Sequence, residues 1–507
     1  MTAQSSSRSI RLSDNGLLLL LAVGGALLHT LLNGQYGFHR DELDIIMNAR
    51  QLDWGYVAYP PLTPFIARVG LELFGNSLQG LRLFSALGQG LVIILAGLMA
   101  RDMGGKRGAQ VMAAIATFIA PVALTAGTLI QYMAFDYVWW VLMAFFTVRL
   151  LATDDARYWL GIGASIGLGM QTKFTIAFWV IGLIVAVLLT PARKYLRSKW
   201  LWLGAGLALL IYLPNLIWQI QHQFISLDFL SSIHARDLQW GRGDSFLIEQ
   251  LYTTTNPFTL PLWIAGLMAC LFSASLKRFR LLAWMFLTTF VLFLISRGRA
   301  YYTGPAYVML LAAGSVWFEQ WLAGRTKVAR RIGLGVLWSL LAVGGVVGIV
   351  LVKPVAPINS DLWKVTSDVS GEVIEMVGWQ DLTEQVAEIY RGLPEADKAR
   401  AAILAGNYGE AGALDLYGSE YDLPRIISGA NSLWYRGYGD IAPETVIAVG
   451  FDRGYADSFF RDCQPVGRVT NRYNVANEET TRHTGLYICH EPRQPWDEMW
   501  QRMQWFQ

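Results

Sequence analysis

The stretch "GLLLLLAVGGALLHTLLNGQYGFHRDELD", Gly16 to Asp44, sets an apolar run directly against a knot of charge. A helix crossing a bilayer needs about 20 consecutive apolar residues, and this run is close to that length. Arg8 and Arg11 precede it, as basic residues precede a signal peptide. No small-x-small cleavage motif follows, so the run reads as a retained first helix whose N-terminal end faces the cytoplasm. The charges of "HRDELD" then stand on the far side, just where the chain leaves the lipid.

The rest of the chain fits a membrane setting. Of 507 residues, 54% are hydrophobic and only 16% charged, and the mean hydropathy is +0.35. A soluble domain would be nearer a quarter charged. The 20 Trp and 21 Tyr suit the membrane–water boundary, which both residue types favour. A net charge of +3 with no basic tract gives no sign of a nucleic-acid partner. The three cysteines, Cys270, Cys463 and Cys489, form no Cys-x-x-Cys pair and so no zinc signature.

Apolar runs of spanning length recur at 16–34, 80–100, 109–130, 134–151, 158–172, 174–190, 200–217, 257–275, 281–296, 301–323 and 332–352, about eleven in all. The 158–190 stretch could also be one long broken helix around "MQTKF". Counting it as two puts "RDMGGKRG", "RLLATDDAR", "PARKYLRSK", "LKRFR" and "GRTKVARR" all inside. Every one of these loops carries Lys or Arg, the positive-inside pattern. The alternation then places outside the loop 35–79, the long loop 218–256 and everything after Lys353. The expected fold is a polytopic α-helical membrane unit over 1–353, followed by an extracytoplasmic α/β domain over 354–507. In that domain "RAAILAG" and "ETVIAVG" read as buried strands, and "SGEVIEMVGWQDLTEQVAEIYRGL" as one or two amphipathic helices. An oxidising compartment would allow Cys463 and Cys489 to pair.

Two readings of "HRDELD" compete. Leu43, Ile46, Met47 and Ala49 follow at helical spacing, which predicts a helix starting in the acids with its apolar face on the membrane surface. Carboxylates are stabilised at a helix N-terminus, but one acid would do. Asp41, Glu42 and Asp44 beside His39 and Arg40 exceed that need. A carboxylate at the lip of a membrane cavity can act as general base on a hydroxyl arriving from outside. Next comes "VAYPPLTPF", where Tyr59, Pro60 and Pro61 set an extended turn before the second span; alone it is a rigid connector.

Together, the acidic pair after the first span and "GY…PPLTPF" behind it resemble the membrane glycosyltransferases of the GT-C fold. More narrowly they are similar to the bacterial glycosyltransferase-39-type branch, related to protein O-mannosyltransferases and lipid A aminoarabinose transferases. Further matches follow in order: "GLGMQTKF", "YLPNLIWQIQHQFISLDFL", "NPFTLPLWIAGL" and "SRGRAYYTGPAYVMLLAAG". In the tail, "NYGEAGALDLYG" and "ISGANSLWYRGYGD" resemble the extracytoplasmic domain of one bacterial subgroup.

The resemblance implies transfer of one sugar from a polyprenyl phosphate to an envelope glycan, lipid or protein at the outer face of the cytoplasmic membrane. It places the general base at Asp41, with Glu42 orienting the acceptor or the loop, and Arg40, Asp44, Tyr59, Pro60 and Pro61 forming the substrate loop. The leaving phosphate gains charge and needs donors set in advance. The resemblance assigns these to Lys173, to Arg236 or Arg242 in the long loop, to Arg299, and to Tyr302, three residues before Pro305. Each basic residue could instead be a snorkelling surface charge. Lipid A aminoarabinose transferases carry Lys, Glu and Arg where this chain has Tyr59, Ala58 and Asp44, which weakens that specific role and its zinc site. His39, His222 and His234 fall outside, where they could bind a divalent metal; without a convergent set, no metal site is assigned. The competing classes are a transporter or flippase of lipid-linked sugars, against which no internal repeat is seen, and a sugar-binding subunit with inert acids.

Overall fold

The structure, a computed structural model, describes residues 13–507. Arg8 and Arg11, on which the inside placement of the first helix rests, lie outside the described residues. Among the described residues six helices are long and apolar enough to cross a membrane: Asp14–Leu32, Leu78–Asp102, Tyr132–Thr153, Lys199–Gln221, Lys277–Ile295 and Lys327–Val352. Two bent pairs raise the number to eight at most: Ile176–Leu189 with Pro191–Arg197, bent by 103°, and Phe246–Thr254 with Pro257–Phe272, bent by 92°.

Not every one of the eleven expected runs is matched by a helix of that length, for identifiable reasons. The run 109–130 breaks into Arg107–Phe118 and Pro121–Ala126, because a proline has no N–H to give and starts a helix better than it continues one. The run 301–323 opens as a 3₁₀ turn, Ala300–Ala306, containing Pro305, and leaves 17 α-helical residues, Tyr307–Ala323. Tyr158–Met170 and Leu260–Phe272 have 13 residues each, about 20 Å at 1.5 Å per residue, against a hydrocarbon core of about 30 Å. Tyr158–Met170 exposes none of its residues fully, whereas Leu260–Phe272 keeps Ile264, Met268 and Phe272 exposed on one face. Tyr307 to Val316 is buried without interruption, and its Gly314 meets Leu260–Phe272 so closely that a Cβ there would stand 1.8 Å from the Leu262 carbonyl oxygen. "MQTKF" is the break between two helices, Tyr158–Met170 and Ile176–Leu189.

The tail builds one five-stranded sheet, ordered β2-β1-β3-β5-β4. Its strands are β1 (Ala401–Ala405), β2 (Ile426–Ile427), β3 (Thr445–Phe451), β4 (Phe460–Arg468) and β5 (Gly485–Pro492). The first three run parallel, joined through helices, and β5 and β4 are antiparallel. The buried runs "AAILA" and "TVIAVGF" are β1 and β3, as their unbroken apolar character predicts. Gly378, at φ +99°, separates the 3₁₀ turn Gly371–Met376 from the helix Trp379–Gly392. Cys463 and Cys489 face each other across β4 and β5 and form a disulfide, while Cys270 is free and buried. Thiol titration of the denatured, unreduced protein is accordingly expected to count one free cysteine; three would show the strands unlinked.

The helix Arg40–Arg50 does not lie on a membrane surface. Leu43, Ile45, Ile46 and Ala49 are buried against Tyr56, Tyr59, Ala67 and Leu81 on one side and Ala413 and Leu416 of the tail on the other. The tail helix Tyr408–Tyr417 makes this sandwich, and its Gly412 is the reason it fits: a Cβ there would be 2.7 Å from the Leu43 backbone. Most of the area that the amphipathic pattern assigned to lipid is covered by protein.

Candidate active site

His39 and Glu42 start the helix Arg40–Arg50 with a capping box. The His39 side chain accepts from the Asp41 N–H at 3.1 Å, and Glu42 Oε2 accepts from the His39 N–H at 2.8 Å. Glu42 is wholly buried. Its oxygens also take Arg82 Nε at 2.9 Å, Arg82 Nη2 at 2.6 Å and the Ile130 N–H at 2.8 Å. Arg82 in turn donates to the carbonyls of Asn33 and Gly37, both at 2.7 Å. Every oxygen of Glu42 is occupied, and the side chain does not line the cavity described next. Of the two roles expected for Glu42, orienting the acceptor or orienting the loop, these contacts fit the loop.

Asp41, its neighbour, faces the other way, into a partly open cavity of about 760 Å³ between the helical bundle and the tail. Asp41 Oδ1 accepts from the Tyr408 hydroxyl at 2.8 Å, and Oδ2 from Gln131 Nε2 at 3.1 Å. Arg40, Asp44, Tyr59, Lys173, Arg236, Arg242, Arg299 and Tyr302 line the same cavity. Residues from Arg40 to Tyr302 thus meet in one space. Pro60 and Pro61 do not reach it. They are buried at the start of the helix Leu62–Phe74, whose Leu62 N–H bonds the Gln171 carbonyl at 2.8 Å, which fixes the turn bearing Tyr59.

One wall is basic. Lys173 Nζ stands 4.1 Å from the ring centres of both Tyr132 and Tyr302 and 5.7 Å from that of Tyr301. Its Nζ is buried and makes no ion pair among the described residues, although the buried Asp136 carboxylate lies within electrostatic reach. Cation–π contacts offset part of its desolvation but supply no counter-charge. Arg236 and Arg242 lie over the Trp240 ring at 5.0 and 4.7 Å, and Arg236 Nε is likewise buried and unpartnered. Arg299 holds Asp237 with two bonds, of 2.6 and 2.9 Å, and Arg242 reaches the same carboxylate at 3.3 Å. Among the described residues Asp237 is the one carboxylate in ion-pair contact with these four cations.

The opposite wall joins the loop to the tail. His39 Nε2 lies 3.1 Å from Glu372. The buried Arg40 pairs with Glu478 and, at 3.7 Å, with Glu375, and lies over the Tyr408 ring at 5.0 Å. Burial pushes Glu375 up to about 7 against the pull of Arg40. Asp44 accepts from the Tyr59 hydroxyl and from Asn48 Nδ2, and burial pushes it up to about 6, opposed by the Tyr59 bond. Arg40 and Asp44 are therefore held by protein partners within the cavity wall. Of the outer histidines, His39 is engaged as above and His222 stacks on Trp218 at 3.9 Å; among the described residues no three His, Cys, Asp or Glu side chains converge on a metal position.

Tyr408, Gln131 and Trp240 carry no role in the sequence reading. Tyr408 sits in "NYGEAGALDLYG", a motif visible in the sequence, but its contact with Asp41 spans 367 residues and no local pattern signals it.

A family model described as dolichyl-phosphate-mannose-protein mannosyltransferase matches residues 58–218. An undecaprenyl phosphate-alpha-4-amino-4-deoxy-L-arabinose arabinosyl transferase of Pseudomonas fluorescens is 27% identical over 338 residues, 59% of this chain and 57% of that protein. The lipid A galacturonosyltransferase RgtD of Rhizobium johnstonii is 26% identical over 191 residues, 36% of this chain and 39% of that one. The matches thus span 57% of the first curated relative and 39% of the second. Over nearly the whole chain the fold is similar to that of ArnT from Cupriavidus metallidurans bound to undecaprenyl phosphate: TM-score 0.61, 16% identity, 93% of this chain and 97% of that one. These matches bear out the resemblance to GT-C-type membrane glycosyltransferases.

Proposed function

We propose that the protein is an inverting glycosyltransferase that moves a single sugar, hexose or pentose, from a polyprenyl phosphate to an envelope glycan, lipid or protein. The observation that carries this is the pairing, in one cavity, of a doubly held carboxylate, Asp41, with a buried ammonium, Lys173, that makes no ion pair among the described residues. An unpaired buried charge is costly and implies a partner that arrives. A phosphodiester supplies it.

In this reading the Asp41 carboxylate takes the proton of an acceptor hydroxyl as its oxygen bonds to the anomeric carbon. The carbon–oxygen bond to phosphate breaks on the opposite face, so the configuration inverts. The leaving polyprenyl phosphate changes from a monoanion to a dianion, and Lys173, Arg236, Arg299 and Tyr302 stabilise that growth of charge. Residues 1–353 act as the membrane unit and 354–507 as the unit outside the cytoplasmic membrane, on the side that carries Asp41. The hydrogen-bonded group Asp44, Tyr59 and Asn48 puts neutral and acidic chemistry where aminoarabinose transferases carry cations, which favours a donor sugar other than aminoarabinose.

The test is release of polyprenyl phosphate, followed by mass spectrometry, from a panel of polyprenyl-phosphate sugars with envelope acceptors and purified protein in lipid. Release with sugar transfer is the expected result. Movement of intact donors across vesicles with no release would instead establish a flippase. Lys173→Met keeps the side-chain length and removes the charge. It is expected to cut kcat/KM by about 10²–10³-fold, as loss of one preorganised donor does.

A further inference from the structure

The geometry points to Tyr408, on the tail, as a positioning residue for the Asp41 carboxylate, which makes the tail part of the catalytic centre; this rests on the reading of Asp41 as general base. Asp41 is held by one donor on each oxygen. Gln131, from the bundle, takes Oδ2 at 3.1 Å, and the Tyr408 hydroxyl takes Oδ1 at 2.8 Å. A carboxylate oxygen has two lone-pair sites. One donor per oxygen fixes the plane of the group and leaves the second site of each oxygen for an acceptor hydroxyl.

The position of the phenol is over-determined. Tyr408 is the first residue of the helix Tyr408–Tyr417, whose start is set by a capping box between Asn407 and Glu410 directly after β1. Its ring lies under the Arg40 guanidinium, 5.0 Å away. Gly409 and Gly412, one helical turn apart, press this helix onto the helix of Asp41: a Cβ at Gly409 would be 3.1 Å from Arg40 Cβ, and one at Gly412 would be 2.7 Å from Leu43 backbone. Those contacts fix the register between the hydroxyl and Asp41. Burial and the neighbouring carboxylates of Asp41 and Asp44 push the phenol's pKa up against the pull of Arg40, so it stays a donor. The tail therefore does more than cover the cavity: half of the carboxylate's support comes from it.

The other groups around Asp41 are His39, Arg40 and Asp44 on its own loop and helix and Tyr132 on the helix Tyr132–Thr153. None of them donates a hydrogen bond to its oxygens among the described residues, and Tyr408→Phe leaves all of them in place. That variant removes one oxygen atom and keeps the ring. Two readouts follow. In infrared difference spectra of the full-length protein in lipid, with Asp41→Asn as the blank, the Asp41 carboxylate band should shift in Tyr408→Phe, because one of its oxygens loses its donor. With whichever donor of the panel turns over, kcat should fall about tenfold or more at neutral pH and KM should not change. A purely structural tyrosine would lower stability and leave the Asp41 band in place. An unchanged band and unchanged kcat with Asp41→Asn inactive would overturn the role of Tyr408 and leave Asp41 as the base. Wild-type turnover by Asp41→Asn would overturn the base, and this inference with it.

Discussion

Asp41→Asn is expected to slow polyprenyl phosphate release by about 10²–10⁴-fold, the range that a positioned general base supplies. The substitution is nearly isosteric, and the amide carbonyl can still accept from Tyr408. The capping box of His39 and Glu42 does not involve the Asp41 side chain, so the helix start survives. The basic wall is untouched, since Lys173, Arg236 and Arg299 make no ion pair with Asp41. Donor affinity should therefore hold while kcat falls, the signature of an interaction made in the transition state alone. The measurement is kcat and donor KM from mass-spectrometric release curves, with melting temperature as the check on folding. Equal turnover in mutant and wild type would move the chemistry to another carboxylate of the cavity. Asp44 is the nearest in sequence, but it is already engaged by Tyr59 and Asn48.

How much of this was legible in the sequence depends on the range of the contact involved. Asp41, Lys173, Arg236, Arg299 and Tyr302 each stand in a local motif, and the structure brings all five to one cavity. Glu42 shows where local reading fails. The spacing His39-x-x-Glu42 is a capping box, but its acid has the same residue type and neighbourhood as a catalytic pair. Only Arg82, 40 residues away, and the Ile130 N–H reveal that its oxygens are spent. The helix Arg40–Arg50 has real amphipathic spacing, but nothing local says whether lipid or protein covers its apolar face; Gly412, far along the chain, supplies the answer. The apolar runs not matched by one long helix have the same origin. Hydropathy cannot tell a helix sheltered by protein, such as Tyr307–Ala323, from one facing lipid, and it passes smoothly over Pro121 and Pro305.

Glu42→Ala should destabilise the protein by at least the ~3–5 kcal/mol that removing one partner of a buried ion pair costs. Arg82 is fully buried. Without Glu42 its guanidinium keeps only the carbonyls of Asn33 and Gly37. The N–H groups of His39 and Ile130 also lose their acceptor, and each unsatisfied buried group adds about 1–3 kcal/mol. Replacing both partners, as in Glu42→Met with Arg82→Met, removes the stranded charge and should recover part of the loss, but not the part due to the two backbone donors. Activity should fall with stability, because the box that fixes the first turn also fixes Asp41. Glu42→Gln separates the two roles. It keeps the shape and one acceptor oxygen while removing the charge, so a structural Glu42 predicts a lower melting temperature with residual turnover in proportion to the folded fraction. A Gln variant that melts like the wild type yet releases no polyprenyl phosphate would put Glu42 into the chemistry, which the four donors on its oxygens argue against.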